Sequence, residues 1–189
     1  DKINLTFVIK ETDKYLVERI NIYGNNVTRE NVIRNQLEID EGDNYNEILE
    51  KKSENNLKNL NFFKNVKLTN TEGSQSGSKI ININIEEKAT GEISAGAGVG
   101  TSGGTISVGI KENNYLGKGI GLNTNLTVDE NSIRGIFSVT NPNFRNSDKS
   151  VYTTFESSEI DKLTTSGYKN SKIGTSLGTN FEYLDDLKL

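Results

Sequence analysis

The stretch that decides the fold is Gly91 to Gly109, GEISAGAGVGTSGGTISVG. Apolar and small polar residues alternate along it with a period of two, on both sides of an interruption at Thr101–Gly104. Successive side chains of a β-strand point to opposite faces, so the alternation predicts a hairpin with one apolar face and one small, polar face. A strand that crosses a bilayer needs this alternation over roughly 10 residues. The stretch therefore favours the first hairpin of a transmembrane β-barrel.

The same alternation continues to the end of the chain, where helical periodicity is absent. We expect six strands, at Glu92–Thr101, Thr105–Asn113, Gly119–Val128, Ser132–Asn141, Ser150–Ser157 and Ser171–Tyr183. The charges well inside them, Arg134, Glu156 and Lys172, all fall on the polar parity. A lysine or arginine that faces lipid at mid-depth costs about 2–4 kcal/mol, so a barrel requires this placement. A soluble β-sandwich would also keep charges off its apolar face and is the alternative.

Composition narrows the classes of function. Hydrophobic residues make up 32% of the 189 residues, a low share for a packed core but suitable for a structure whose second face is wet. The chain has no His and no Cys, which removes the Ser-His-Asp triad, the Cys-His pair and the usual zinc sites. Lys and Arg are scattered under a net charge of −4, so no nucleic-acid partner is expected. We expect no enzymatic activity, no metal and no cofactor.

The region before the hairpin reads as a small α+β domain of order β-α-α-β-β. We expect strands at Leu16–Tyr23, Phe62–Leu68 and Lys79–Glu87. Thr28 is a fitting N-cap for a first helix with a Val32, Ile33 and Leu37 stripe, and Glu30 lies in its first turn. A second helix is predicted from Asn46, with Ile48, Leu49, Leu57 and Leu60 at helical spacing, and Asn61 at the left-handed position that ends it.

The first residues resemble the last strand of this domain. Ile3, Leu5, Phe7 and Ile9 alternate with polar residues much as Ile81, Ile83 and Ile85 do. A spacing of this size is typical of tandem modules, although two unrelated amphipathic strands would look alike. The chain opens directly in this strand without a visible signal peptide, and it stops without a turn or cap. We therefore expect a piece of a larger protein.

Three further motifs have competing interpretations. Gly98–Gly103 matches G-x-G-x-x-G, but strand-forming residues follow where a nucleotide site needs a helix, so a hairpin turn with positive φ at Gly103 and Gly104 is favoured. The acidic cluster Glu38–Asp43 reads as a solvated loop between helices rather than a pair of catalytic carboxylates. Glycines 96, 98 and 100 indicate either a sparsely filled lumen or a first strand that pairs weakly and can open.

Two groups of motifs resemble the BamA family. Ile20–Asn25 followed by Thr28, and Leu57–Val66 with its Leu60-Asn61-Phe62-Phe63, are similar to a POTRA domain of that family, whose usual motif is Leu-Gly-Phe-Phe. The three glycines of the first strand, Asn114-Tyr115-Leu116-Gly117-Lys118-Gly119 and Val139-Thr140-Asn141-Pro142-Asn143-Phe144 resemble the start of its barrel.

The resemblance implies a division of the chain into three parts. Residues 1–14 would be the last strand of a preceding POTRA domain, 15–88 the final POTRA domain in the periplasm, and 89–189 the first part of a 16-stranded outer-membrane barrel. The turns Asn113–Lys118 and Asn141–Lys149 would be periplasmic, with Tyr115 and Phe144 at the membrane interface. Thr101–Gly104, Asp129–Asn131 and Glu159–Asn170 would face outward.

The resemblance also implies a function. It is that of an outer-membrane assembly factor without covalent chemistry, which accepts nascent barrel proteins by strand pairing. The pairing edge would be Glu92, Ile93, Ser94, Ala95, Gly96, Ala97, Gly98, Val99 and Gly100. Unfolded outer-membrane proteins, accessory lipoproteins docking at Glu41 and Gly42, and the lipid bilayer would be its partners. A two-partner-secretion or TamA-like translocator on the same fold is the alternative, and a soluble β-rich binding module is a more distant one.

Overall fold

The computed structural model describes residues 14–100, 103–184 and 187–188. The strand predicted for residues 1–14 lies outside the described residues apart from its last position. The strands are β1 (Leu16–Tyr23), β2 (Phe63–Glu72), β3 (Ser78–Glu87), β4 (Gly91–Gly100), β5 (Gly103–Tyr115), β6 (Ile120–Asp129), β7 (Ser132–Asn141), β8 (Ser150–Lys162), β9 (Tyr168–Asn180), β10 (Glu182–Leu184) and β11 (Leu187–Lys188). The helices are α1 (Glu30–Arg34), α2 (Glu47–Asn59) and α3 (Leu163–Ser166), with a 3-10 turn at Phe144–Asn146. Within this part of the chain, none of the helices is long and apolar enough to cross a membrane.

The N-terminal domain is a three-stranded sheet with two helices, and the predicted order β-α-α-β-β is confirmed. Strand β3 lies in the middle, parallel to β1 and antiparallel to β2. The alternate, apolar residues of the strands pack against those of the helices and form one core. That core consists of Val17, Ile20, Val32, Ile33, Ile39, Leu57, Phe62, Phe63, Val66, Ile81, Ile83 and Ile85.

The helices agree with the sequence-based predictions at two positions and differ from them at two others. Asn46 caps α2 by accepting from the backbone N–H of Ile48 at 2.9 Å, and Asn61 is left-handed with φ 60°, as predicted. The N-cap of α1 is Arg29 and not Thr28, because the hydroxyl of Thr28 is bonded elsewhere. The prediction that Ile48 joins the apolar stripe is also wrong, since its side chain is 77% exposed.

The second part of the chain is an antiparallel sheet of six strands in the order β4-β5-β6-β7-β8-β9. The six predicted strands are confirmed, but β5 and β8 are longer than expected, and β9 begins three residues earlier than expected and meets β8 through α3. Most of the Glu159–Asn170 segment, which was expected to face outward, therefore belongs to β8 and β9, and only residues 163–167 form the connection between them. Lys169 on β9 pairs with Glu159 at 2.7 Å and lies 3.7 Å from Asp161, and these contacts join the outer ends of the two strands.

The first hairpin turns through one positive-φ glycine on its β5 side. Gly103 has φ +97°, whereas Gly104 is ordinary extended strand, which corrects the prediction of two such glycines. The carboxylate of Glu130 lies against Gly103, where a Cβ would meet it at 2.2 Å. A strand follows the G-x-G-x-x-G match, so the helix that a nucleotide site needs does not begin there.

Candidate functional site

Strand β4 forms one edge of the six-stranded sheet. It pairs with β5 from Gly91 opposite Glu112 to Gly100 opposite Gly103, and no strand lies on its other side among the described residues. All ten of its residues are exposed. Alternate residues of an antiparallel edge strand point their N–H and C=O groups away from the sheet. The nine residues predicted to form a pairing edge, Glu92 to Gly100, thus all belong to one free strand edge.

The glycines of β4 lie in open space toward its outer end, which is the Gly100 end, away from the N-terminal domain. A Cβ at Gly98 or Gly100 would meet nothing within 4 Å in the described chain, and one at Gly96 would meet only the hydroxyl of Ser107 at 3.3 Å. The described neighbours of these three positions therefore do not require glycine there. The three glycines give the backbone of β4 more conformational freedom and weaken the strand, because glycine has no side chain to restrict or pack it.

The strand register places the internal charges on one face of the sheet. Arg134 lies opposite Ser158, and Ser158 lies opposite Lys172. Glu156 is two residues from Ser158 on the same face, and its carboxylate is 3.5 Å from the ammonium of Lys172. The predicted confinement of these three charges to the polar face is confirmed.

The opposite face is apolar and uncovered. Phe137 and Phe155 are directly opposite each other with ring centroids 6.4 Å apart, yet both remain substantially exposed. Val99 is 93% exposed. Other large apolar side chains share this exposed face: Ile93, Ile106, Val108, Ile110, Leu126, Val128, Ile133, Ile173 and Leu177. Contiguous apolar surface of this extent marks contact with a partner or a membrane.

The apolar band runs obliquely across the strands. The register carries Ile93 of β4 to Thr175 of β9 through four intermediate strands. On β4 the band covers Ile93 to Val99, on one side of this register line, whereas on β9 it covers Ile173 to Leu177, on both sides of it. An offset of this kind arises when strands are tilted relative to the apolar band. Strands of outer-membrane barrels tilt by about 35–45°.

The N-terminal domain is joined to the end of β5 and to the turn between β5 and β6 by buried polar contacts. The side-chain amide of Asn114 donates to the hydroxyl of Thr28 at 2.9 Å, and both residues are at least 95% buried. The backbone N–H of Arg29 donates to the carbonyl of Gly117 at 2.8 Å. Gly117 has φ +69°, and a Cβ there would lie 1.9 Å from the carbonyl oxygen of Val27. The domain and the first strands therefore meet in a close-fitting joint.

A second turn, between β7 and β8, contacts α1 and the residues that follow it. The side-chain amide of Asn31 donates to Asn146 at 3.0 Å, and Gln36 donates to Asn143 at 3.4 Å. The sequence alone did not predict this joint, although the Asn114–Gly119 motif contributes to it. The only signal was the density of Asn and Gly in the two turns, which by itself does not name the partner of each side chain.

Glu87, the last residue of β3, holds the loop that enters the joint. Its carboxylate accepts from the backbone N–H groups of Asn26, Val27 and Thr28 at 2.6–2.9 Å. Burial acts to raise the pKa of Glu87, but the hydrogen bonds from these three residues outweigh it and hold the pKa below its usual range. The ionised form of Glu87 thus fixes the residues that contact the β5–β6 turn.

Glu41 and Gly42, the predicted docking residues, lie along the outer edge of β1. The carboxylate of Glu41 accepts from the backbone N–H of Ile20 at 2.9 Å and lies 3.6 Å from the guanidinium of Arg34. The N–H of Gly42 donates to the carbonyl of Val17 at 2.7 Å. Both residues stay exposed, but their contacts cover part of the β1 edge, so the opposite edge strand of this sheet, β2, is the more open one.

The sequence of residues 15–88 matches the family described as POTRA, surface antigen variable number repeat. Residues 15–88 are a POTRA domain. The chain is also similar to two proteins named outer membrane protein assembly factor BamA. One, from Buchnera aphidicola, is 29% identical over 126 residues, which cover 66% of this chain and 20% of the relative. The other, from Neisseria meningitidis, is 27% identical over 144 residues, which cover 75% of this chain and 18% of the relative.

Solved structures share the fold of the POTRA domain and the sheet together. BamA from Haemophilus ducreyi lacking POTRA domains 1–3 superposes with a TM-score of 0.81 at 24% identity, covering 92% of this chain and 34% of that one. CdiB from Acinetobacter baumannii gives 0.57 at 16% identity, covering 89% and 33%. The predicted resemblance to the BamA family and the partial-barrel fold are confirmed. The chain spans 18–34% of the length of these proteins.

Proposed function

We propose that this chain is part of an outer-membrane protein assembly factor whose POTRA domain lies in the periplasm and whose strands β4–β9 lie in the outer membrane. The observation that carries the proposal is β4, an edge strand exposed along its whole length beside an uncovered apolar face. The similarity to proteins named as BamA assembly factors supports it.

The proposed mechanism is strand addition. In lipid, an unpaired row of N–H and C=O groups has no water to bind, so it gains strongly from a strand that pairs with it. A nascent barrel protein carries such a strand and would align it along Glu92–Gly100. The glycines at 96, 98 and 100 lower the cost of bending β4 to receive it. No covalent step, metal or cofactor is needed, and we propose that the protein is not an enzyme.

Partner proteins would bind through the POTRA domain. The exposed Glu41–Gly42 segment is the proposed docking point for accessory lipoproteins of an assembly complex. Because that segment already lies on the β1 edge, strand addition to the POTRA sheet would use β2. The lipid bilayer would cover the apolar face of β4–β9, and no nucleic-acid partner is proposed.

A secretion translocator on the same fold is the second candidate, and the fold shared with CdiB favours it. The two candidates use different surfaces. An assembly factor would hold its client at the edge of β4, whereas a translocator would pass it across the polar face. Ser176, on the polar face of β9, is a suitable reporter for the second route.

Crosslinking in outer-membrane vesicles that contain the full-length protein tests the proposal. Photoreactive residues would replace Gly98 on β4 and Ser176 on β9, and an unfolded barrel protein would be the client. We expect crosslinks from position 98 that exceed those from position 176 by about tenfold, the ratio that corresponds to about 1.4 kcal/mol of preferential binding. Crosslinks confined to position 176 would favour the translocator, and a protein that remains outside the membrane would refute both.

A further inference from the structure

The two ends of β4 are held very differently. At its inner end, a short linker of three residues connects it to the POTRA domain, and both ends of that linker are bonded. The N–H of Lys88 donates to the carbonyl of Phe62 at 3.0 Å, and the N–H of Asn113 donates to the carbonyl of Thr90 at 3.3 Å. At its outer end, a Cβ on Gly98 or Gly100 would meet no atom of the described residues within 4 Å.

Glu112 is the residue that joins the groups at the inner end. One carboxylate oxygen accepts from the hydroxyl of Thr90 at 2.5 Å and from the backbone N–H of Asn114 at 2.7 Å. The other lies 3.1 Å from the position that a Cβ on Gly91 would occupy. Thr90 precedes β4, and Asn114 lies near the end of β5, beside the β5–β6 turn. A single carboxylate therefore links the start of the edge strand to the end of β5.

The link continues into the POTRA domain. Asn114 donates to Thr28, and its side-chain oxygen accepts from the N–H of Gly119 at 2.7 Å. The path from the edge strand to the POTRA domain thus runs through Thr90, Glu112, Asn114 and Thr28, with successive hydrogen bonds of 2.5–2.9 Å. Hydrogen bonds to a carboxylate are stronger than those between neutral groups, so Glu112 is the strongest element of this path.

The place of Glu112 in the sheet is itself unusual. It pairs with Gly91 and with Leu122, on the parity that elsewhere carries Ile93, Ile110 and Leu126. A carboxylate directed at lipid is unfavourable, and the cost falls toward the membrane interface. Its position at the inner end, beside the β-bulge between Glu112 and Tyr115, with two donors within 2.7 Å, is consistent with a role that an apolar residue could not perform.

We propose that Glu112 is a positioning residue for the pairing edge. It fixes the inner end of β4 to the POTRA domain, so that only the glycine-rich outer half bends when a client strand pairs. This inference rests on the proposed function of β4. It predicts that residues 88–94 are fixed and residues 96–100 are mobile. The loss of Glu112 would then increase the mobility of residues 88–94 and leave that of residues 96–100 unchanged.

Amide hydrogen exchange of the full-length protein in lipid nanodiscs tests the anchor without a client. In the Glu112→Ala variant we expect exchange in the peptide covering residues 88–94 to accelerate by about tenfold, the effect of losing a hydrogen-bonded charge. Exchange in residues 96–100 should stay unchanged. Glu130→Ala is the matched control, since it removes a carboxylate near the opposite end of the same hairpin. Thr90→Val, which removes a single donor, should give a smaller change of the same kind.

Two results would contradict the proposal that Glu112 fixes the inner end of β4. One is a uniform acceleration of amide exchange along the whole of β4, and the other is no acceleration in residues 88–94 for both Glu112→Ala and Thr90→Val. Client crosslinking from position 98 then tests positioning, and we expect it to fall at least threefold in Glu112→Ala and to persist in Glu130→Ala. Unchanged crosslinking in a variant whose residues 88–94 exchange faster would contradict the positioning role. If the protein with native Glu112 gives no crosslink at position 98, the proposed function fails, while the exchange result still decides the anchor.

Discussion

Strands β3 and β4 follow each other in the chain and share a period of two, yet their apolar residues have opposite fates. On β3, Ile81 and Ile83 are at most 1% exposed because two helices cover that face. On β4, Ile93 and Val99 are 77% and 93% exposed. Alternation alone therefore predicts a strand and its faces. Whether the apolar face is covered within the chain depends on the presence of helices nearby.

The same difference separates the sources of stability in the two regions. Burial of a large aliphatic side chain contributes about 1.5–3 kcal/mol, and the POTRA domain gains this within its own chain. The outward face of β4–β9 gains it only when something else covers that face. Each substitution below tests one side of this contrast.

The largest effect is expected in the POTRA core. Leu57→Ala should lower the free energy of unfolding of this domain by about 2–5 kcal/mol, since Leu57 is fully buried and its removal leaves a cavity. Ile48→Ala, on the same helix but exposed, should change it by less than about 0.5 kcal/mol. Pulse proteolysis of the full-length protein in urea measures both. Equal losses from the two variants would contradict the assignment of the core.

A charge on the barrel face should have the next largest effect. Phe137→Arg should destabilise the membrane-folded state by about 2–4 kcal/mol, because the side chain would face lipid. Ser138→Arg, one residue along on the polar face, should cost much less. Reversible urea unfolding from phospholipid vesicles measures the difference. A larger penalty at Ser138 would mean that the two faces are reversed.

The smallest effect concerns the joint and is a pH dependence. The pKa of Glu87 is below its usual range in the folded protein, so ionised Glu87 stabilises the 26–28 loop above the ordinary glutamate pKa of about 4.3. That contribution is lost as the pH falls through the lower, folded pKa. We expect Glu87→Gln to remove it at pH 7 and to flatten the profile between pH 5 and 3.

The unfolding midpoint of the POTRA domain in the full-length protein, followed over this pH range, measures the effect. The control is Glu72→Gln, which changes an exposed carboxylate at the end of β2. A profile for Glu87→Gln that keeps the slope of the unchanged protein would show that another group is responsible.

The sequence predicted what depends on local pattern and missed what depends on distant partners. The six strands and the polar side for Arg134 followed from alternation, which antiparallel neighbours preserve through the register. Thr28 was expected to cap α1 because hydroxyl residues do so, but its hydroxyl bonds to Asn114, 86 residues away. The full length of β8 was missed because its outer end is polar and is held by Lys169 from the next strand.

The candidate site divides in the same way. Glycines and alternation identified β4 as a separate strand, and its position at the sheet edge follows from coming first among strands that pair in order. The proposed role of Glu112 could not be predicted from the sequence, because a glutamate on the apolar parity looks like a break in the pattern. Its meaning depends on Thr90 and Asn114 converging on one carboxylate.

The most direct test of the central claim is the register of a trapped client strand. Single cysteines would be placed in turn at Ile93, Ala95 and Ala97 of the full-length protein, which has no cysteine within this chain, and paired with a cysteine scan of the client's terminal strand. Backbone pairing along β4 predicts that each two-residue step on β4 moves the captured client position by two, always in one direction. Capture of the same client position from all three sites, or capture without order, would contradict strand addition at β4.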